Sequence, residues 1–537
     1  MTPPEGAGRT HAPQAFWQPN GQPAAFGREA LTAYAARVRD PVHVIADAGL
    51  GVGLGMGGRA GSGRDGYRLL GTVPPLYPEW LGDRSFCEAH GLRFPYVTGE
   101  MACGIATVRM VTAVARAGML GFFGAAGLPA DEVERAVVRL SAGLGRSGGW
   151  GVNLIHDPGA EDVVADVLLR HGVERISASA FMDLTPAVVR CAVSGLRADH
   201  TGRVVRRTHL FAKVSRPEVA AKFMAPAPAA ILARLVDSRL ITEEEAALAA
   251  RIPVAGEVTV EADSGGHTDN RPLAAAFPVI CRLRDRLGER HGHDTPVRIG
   301  AAGGIGDPAG VAAAFALGAA YVVTGSINQL TVEAGVSDAA KELLARAGIA
   351  DTAMAPSADM FEAGIKVQVL RRGTMFAGRA ARLYEIYRDH GSLEEIPART
   401  LAGLERDLWR ASVDDVWTAT REFWAERDPA QLERAERDPR HRMALVFRWY
   451  LGMAGRWAIV GDRDRVTDYQ LWCGPAVGAF NEWTAGSFLA EGGERTVAQV
   501  AYNLLEGAAA LTRAHQLRVH GVPIPVAALS FAPRRLI

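Results

Sequence analysis

The chain has 537 residues, with hydrophobic residues making up 48%, so it can bury a large core and divide into two or three regions. Lysine plus arginine equals aspartate plus glutamate at 59 each, which leaves no net field to favour nucleic acid or an anionic membrane. Five scattered cysteines (Cys87, Cys103, Cys191, Cys281 and Cys473) argue for a reducing cytoplasm and against a disulfide framework or a clustered metal site.

The opening "MTPPEGAGRTHAPQAFW" lacks the apolar core of a secretory signal, and no run reaches the ~18 apolar residues of a spanning helix. Residues 1–90 form a Gly/Pro-rich segment, with a helix near 28–39 and a strand in "PVHVIA". Gly53, Gly55 and Gly58 then satisfy GxGxxG. A dinucleotide site needs a helix directly after those glycines. The helix-hostile "GRAGSGRDG" follows instead, so the stretch reads as a flexible loop.

From 91 the pattern changes to short apolar runs, mostly separated by amphipathic helices. The runs are "FPYVTG", "MLGFFGAAG", "WGVNLI", "RISASAF", "HLFAKVS", "VTVEADSGG", "VRIGAAGGIGDP" and "AYVVTGSIN". Repeated βα units imply a parallel sheet, and eight of them predict an α/β fold of the (β/α)8 TIM barrel type over 91–380. In such a barrel the loops after the strands carry the chemistry. His267 would therefore stand on the catalytic face, with Gly265 and Gly266 shaping its approach. A surface histidine is the alternative from these residues alone.

Strand signals fade after about 380. Residues 381–470 are charged, aromatic and helical in period, with Trp409, Trp417, Trp424, Trp449 and Trp457 spread through them. The tryptophans suit either packing between helices or a lid lining an acyl tunnel. Residues 471–537 form a C-terminal helical segment.

The stretch "RIGAAGGIGDPAGVAAAFALGAAYVVTGS" joins a strand ending in Gly303-Gly304, a helix, and a strand ending in Thr324-Gly325-Ser326. Loops after strands 7 and 8 often build a phosphate site from backbone N–H groups. The phosphate of a mononucleotide such as FMN fits that pattern.

"PYVTGEMACGIATVRMVTAVARAGMLGFFGAAG", "EADSGGH" and the glycine clamp together resemble the FMN-dependent nitronate monooxygenase and enoyl-reductase barrels. "FAKVSRPEVAAKFMAPAP", "DSGGHTDNRPL", "MAPSADMFEAGIKVQVLRRGTMFAGRAARLYEIY" and "VTDYQLWCGPAVGAFNEW" are similar to the PfaD-type trans-acting enoyl reductases of polyketide and polyunsaturated fatty acid synthases. The resemblance covers nearly the whole chain. It implies FMN reduced by NADPH, reduction of an enoyl thioester on an acyl carrier protein, and a helical substrate or lid domain over the barrel. A homodimer is compatible with it.

Carried over residue by residue, Gly99 and Met101 bring backbone to the flavin, and Gly265 and Gly266 bring the His267 loop close to it. Asn153 meets the ring edge, and Lys213 offsets charge on the reduced flavin. Gly303, Gly304, Gly325 and Ser326 hold the phosphate, and His267 is the active-site histidine; no metal is implied. Arg271 is a candidate for the nucleotide 2′-phosphate.

The first loop of the family more usually reads Gly-Ala-Met-Ala-Asn-Gly-Ile-Ala-Ser, so Glu100 and Cys103 depart from it. An ionised Glu100 beside a flavin would oppose its anionic reduced form. Two other readings share these residues. One is a flavin oxidase of the nitronate monooxygenase type, disfavoured by the long helical region. The other is a non-catalytic flavin-barrel scaffold, disfavoured by the intact clamp and His267.

Overall fold

A computed structural model describes residues 15–62 and 65–536. The first 14 residues, on which the reading of the chain start rests, lie outside them. The chain divides into two units. One comprises residues up to Leu81 with Pro308–Ala313 and Tyr502–Leu536; the other comprises Gly82–Asp307 and Ala314–Ala501.

In the first unit five strands form one sheet, ordered Gly51–Met56, Val42–Asp47, Tyr67–Val73, Phe16–Gln18 and Arg59–Gly61. The glycine-rich run read as a flexible loop thus forms two strands, Gly51–Met56 and Arg59–Gly61, joined at Gly57 and Gly58. Its glycines make room for aromatic rings. A Cβ on Gly55 would lie 2.8 Å from the Trp17 ring, one on Gly58 2.6 Å from Trp17 Nε1, and one on Gly53 2.5 Å from Phe26. Trp17 is fully buried and its indole N–H donates to Gly57 O at 2.8 Å. The start and end of the chain share one core, in which Val44, Leu54 and Met56 join Ala514, Leu517 and Val522.

The second unit holds a closed barrel of eight parallel strands in chain order. They are β1 (Tyr96–Thr98), β2 (Leu120–Phe123), β3 (Trp150–Ile155), β4 (Arg175–Ser179), β5 (His209–Val214), β6 (Glu257–Glu261), β7 (Arg298–Ala302) and β8 (Val322–Thr324). Closure comes from β8 on β1, with Val322 opposite Tyr96 and Thr324 opposite Thr98. All eight predicted runs are barrel strands. Both faces of these strands are largely covered: every residue of β2, and all of β3 but Ile155, is buried, while β4, β5 and β6 carry Ser177, Lys213 and Thr259 within their mainly apolar runs. The helices between them are apolar on one face only, as in Ala130–Leu144, which buries Val133, Ala136, Val137 and Leu140.

The helix Arg84–His90 belongs with the barrel, so the division falls at Leu81/Gly82 and not at 90/91. Its Phe86 stacks on Tyr321 with ring centroids 4.3 Å apart, and the two join Phe122 and Phe211 in one core. At the N-terminal end of the strands, His90 Nε2 lies 3.0 Å from Glu257 Oε1, and Arg298 bonds the same oxygen. Burial opposes the charge on Glu257, but His90 and Arg298 outweigh it and hold the carboxyl below its usual range. Burial lowers His209 to about 4, so that ring is neutral. His90, His209 and Glu257 are close enough to share an ion. The guanidinium groups of Arg175 and Arg298 already occupy His90 and Glu257, so the cluster is an ion-paired plug.

Beyond the barrel, Thr352–Pro356 and Lys366–Leu370 form a hairpin whose second strand pairs with Gly266–His267. Nothing in the sequence pattern predicts this three-stranded sheet. Helices then follow at Phe376–Asp389, Ala398–Leu404, Val413–Arg427, Pro429–Arg437 and Pro439–Val460. Among the described residues no single helix is long and apolar enough to cross a membrane; one bent pair, Pro217–Met224 with Ala229–Asp237, passes on length and composition alone.

Candidate active site

The C-terminal ends of the barrel strands bring the predicted residues onto one rim. After β1, Gly99 N donates to Thr324 O at 2.8 Å, and a Cβ there would lie 2.9 Å from Val323 Cγ1. Met101 is buried. Its carbonyl oxygen would stand 1.7 Å from a Cβ on Gly124, so this loop rests directly on the one after β2. Cys103 adopts a left-handed φ of 55° and its N–H donates to Ala126 O at 2.7 Å. Burial pushes its thiol pKa up, so near neutral pH the sulfur is a thiol and a poor nucleophile.

Asn153, buried in β3, commits its Nδ2 to β4, donating to Ser177 O at 3.1 Å and to Ser179 Oγ at 2.8 Å. Only its Oδ1 is left for a ligand.

Lys213 ends β5 between two carboxylates: its Nζ is 3.2 Å from Glu100 Oε1 and 3.1 Å from Glu261 Oε1. The Glu100 oxygen is a charge contact and is not aligned as a hydrogen-bond acceptor. Ser177 Oγ donates to Glu100 Oε2 at 3.1 Å, and Ser264 Oγ donates to Glu261 Oε1 at 3.2 Å. Burial works against the ammonium, but the two carboxylates outweigh it and hold Lys213 above its ordinary pKa. Lys213, expected to offset charge on a reduced cofactor, stands here between two carboxylates that already balance its ammonium. Glu100 in turn is not a lone charge in this loop.

His267 follows β6, and the two glycines before it have separate reasons. A Cβ on Gly265 would fall 2.6 Å from Cys473 Cα, so Gly265 allows a backbone-to-backbone contact. Gly266 has φ +80°, with open space beside it. The His267 side chain is 34% exposed and its Nε2 stands 3.3 Å from Asp359 Oδ2. Burial opposes its charge, but Asp359 and Glu261 outweigh it and raise its pKa above the ordinary imidazole value. Asp263 caps the turn, accepting from Gln368 Nε2 at 2.6 Å and from Asn270 Nδ2 at 3.0 Å.

The two clamp turns also differ in detail. Gly303, at φ +84°, makes room for β6, since its Cβ would lie 2.7 Å from Ala262 C. Gly304 (φ +70°) and Gly325 have nothing within 4 Å of where a Cβ would be. Bare backbone therefore opens on free space at both turns, which is what a phosphate held by N–H groups requires. Ser326 starts a short 3-10 turn, and its Oγ accepts from Gly474 N at 3.2 Å. These residues fit a mononucleotide phosphate.

Sequence reasoning missed the segment around Cys473–Ala476 as a part of the site. It meets Gly265, Ser326 and Gly306, whose Cβ would lie 2.1 Å from Ala476 O, while Trp472 O accepts from Gln329 Nε2 at 2.6 Å. Its signal was the Gly-Pro turn, which alone suggests only a bend. A shallow cleft opens beside β3, lined by Gly127, Asn153, Asp157 and by Arg427 from the helical region.

With this geometry in place, the comparisons with known proteins become specific. Residues 85–388 match the family described as nitronate monooxygenase. The chain belongs to the nitronate monooxygenase family. That membership places it among oxidoreductases. Residues 390–469 match a second description, the inserted helical domain of acyl-carrier-protein S-malonyltransferase. Among solved structures, the enoyl reductase domain of MlnA, from the macrolactin biosynthesis cluster of Bacillus amyloliquefaciens, superposes with a TM-score of 0.78 at 39% identity. The match covers 82% of this chain and 99% of that one.

A polyunsaturated fatty acid synthase polypeptide of Thraustochytrium sp. is 46% identical over 448 residues, which is 82% of this chain and 30% of that protein. Polyketide biosynthesis protein PksE of Bacillus subtilis is 43% identical over 436 residues, covering 81% and 56%. The chain spans less than two thirds of either relative.

In this nitronate monooxygenase-family chain the five tryptophans of the helical region divide by burial. Trp409 and Trp457 are buried between helices, with Arg465 over the Trp457 ring at 4.2 Å. Trp417, Trp424 and Trp449 are only partly buried, and Arg442 and Arg448 lie over the first two at 5.0 and 5.2 Å.

Proposed function

We propose that the chain is a trans-acting, cytoplasmic enoyl reductase. It would use FMN and NADPH to saturate the α,β-double bond of an enoyl thioester on an acyl carrier protein, within polyketide or polyunsaturated fatty acid assembly. The observation that carries this reading is the 39% identity to an enoyl reductase domain over 99% of that domain. The match of residues 390–469 to a helical insert of an acyl-carrier-protein transferase supports a carrier-bound substrate.

When bound, FMN would supply the two-electron chemistry by which a hydride passes from the nicotinamide to the β-carbon. The chain's own residues bind, orient and protonate. The N–H groups at Gly304 and Gly325 would hold the phosphate, and the tight loop at Gly99–Met101 together with Asn153 Oδ1 would position the ring. The Glu100–Lys213–Glu261 group ties β1, β5 and β6 together on the rim and keeps that side polar. His267, whose carboxylate neighbours raise its pKa and so favour its protonated form, gives a proton to the α-carbon and regains one from solvent. General acid help of this kind contributes about 10²–10⁴-fold.

The test is anaerobic mixing of the reduced holoenzyme with a crotonyl thioester of an acyl carrier protein. Reoxidation by the thioester supports the reading; reoxidation by oxygen alone indicates a flavin oxidase, and no reduction by NADPH indicates a scaffold.

A further inference from the structure

The segment that reaches His267 is fastened by the helical region. Residues 357–365 link the two hairpin strands and carry Asp359, Phe361, Glu362 and Gly364. Phe361 is fully buried, with its ring centroid 5.5 Å from Tyr384, 5.2 Å from Tyr387 and 6.3 Å from Phe447. A Cβ on Gly364 would lie 2.3 Å from the Tyr384 hydroxyl.

Glu362 is held by three side chains of the insert, one histidine and two arginines. His441 Nδ1 is 2.7 Å from its Oε1, Arg434 is 3.6 Å from the same oxygen, and Arg448 is 3.5 Å from Oε2. Two residues before Phe361, Asp359 points the other way and places Oδ2 3.3 Å from His267 Nε2. One short loop thus holds the insert on one side and, on the other, stands in charge contact with the rim histidine, whose Nε2 is not aligned as a hydrogen bond to Asp359.

We infer that Asp359 is the positioning residue for His267, turning Nε2 towards itself and leaving Nδ1 to face the substrate, and that the helical insert fixes it there through Glu362. The charged groups around the imidazole are Asp359 from the hairpin loop and Glu261 from β6, with Lys213 of β5 bonded to Glu261. Arg448 of the insert acts on Asp359 from behind. Two carboxylates against one imidazole favour the protonated ring, the state a proton donor must start from. The proton leaving Nδ1 forms the new C–H bond at the α-carbon, and solvent returns one to the ring. Because Asp359 is half exposed, water competes for it, and the clamp on Glu362 is what keeps it in reach.

This inference rests on the reading of His267 as proton donor, and the experiment separates the two. The holoenzyme is labelled with [13Cε1]-histidine, the His267 signal is identified by its loss in His267→Gln, and its titration is followed in wild type, Asp359→Asn, Asp359→Glu and Glu362→Gln. Asp359→Asn is expected to bring the midpoint down by about one pH unit or more, the usual effect of losing a neighbouring opposite charge. Asp359→Glu should stay near wild type, and Glu362→Gln should move the midpoint down by a smaller amount. An unchanged midpoint in Asp359→Asn overturns the pairing, and an unchanged one in Glu362→Gln overturns the role of the insert. In parallel, the alkaline limb of thioester-dependent reoxidation should shift with the midpoint. If His267→Gln reoxidises at the wild-type rate while Asp359→Asn still moves the midpoint, the pairing stands and the proton-donor reading fails.

Discussion

Gly304 and Gly325 offer a way to empty the phosphate site while separating two effects on stability. Neither has an atom within 4 Å of its missing Cβ, so an aspartate at either position meets no steric wall. Gly325 has φ −125° and accepts a side chain without left-handed strain, whereas Gly304 sits at φ +70°, where a side chain adds about 1–2 kcal/mol of backbone strain. A carboxylate about 4 Å from a phosphate charge raises the energy by about 4 kcal/mol at an effective dielectric of about 20. At about 1.4 kcal/mol per tenfold, that is close to a thousand-fold loss of affinity. The assay is the flavin-to-protein ratio after gel filtration, alongside thermal melting of the apoproteins. Both variants should lose FMN, apo Gly325→Asp should melt with wild-type apoprotein, and apo Gly304→Asp should melt lower. Full flavin retention in both would mean that the phosphate is held elsewhere.

Trimming Trp417, Trp424 or Trp449 to alanine should change acyl-length preference among enoyl thioesters and leave flavin reduction alone, because these rings are only partly buried; the same change at buried Trp409 should lower thermal stability instead, by roughly 3–5 kcal/mol. If none of the three alters the preference, they serve packing only. NADPH should reduce the flavin faster than NADH, and Arg271→Ala should narrow the difference; equal rates in wild type would remove the preference and Arg271's part in it.

The barrel was legible because its strands are largely buried on both faces and so appear as short, mainly apolar runs separated by helical patterns. Two features were not. Glycine carries no side-chain pattern, so nothing in Gly51–Gly58 signals that Trp17 and Phe26 cover those backbones. The strands Thr352–Pro356 and Lys366–Leu370 are short, and their place comes from pairing with Gly266–His267, a contact distant in sequence. In the site, His267 and the open glycines were readable from their turns, while the partners that set their chemistry were not. Asp359 reaches His267 only through the hairpin, and Glu100 reaches Lys213 only because the barrel closes. A lysine and an acid at the ends of neighbouring strands, Lys213 and Glu261, was a signal that pattern reading could have used.

Double-mixing stopped flow without oxygen separates a reductase from an oxidase and reads the part of His267 in one experiment. NADPH first reduces the flavin, and the enoyl thioester on its carrier protein is then added to wild type and to His267→Ala. Thioester-dependent reoxidation should be rapid in wild type and about 10²–10⁴-fold slower in His267→Ala, with flavin reduction retained in both. Reoxidation only after oxygen is admitted, or a His267→Ala rate equal to wild type, would contradict the proposed function.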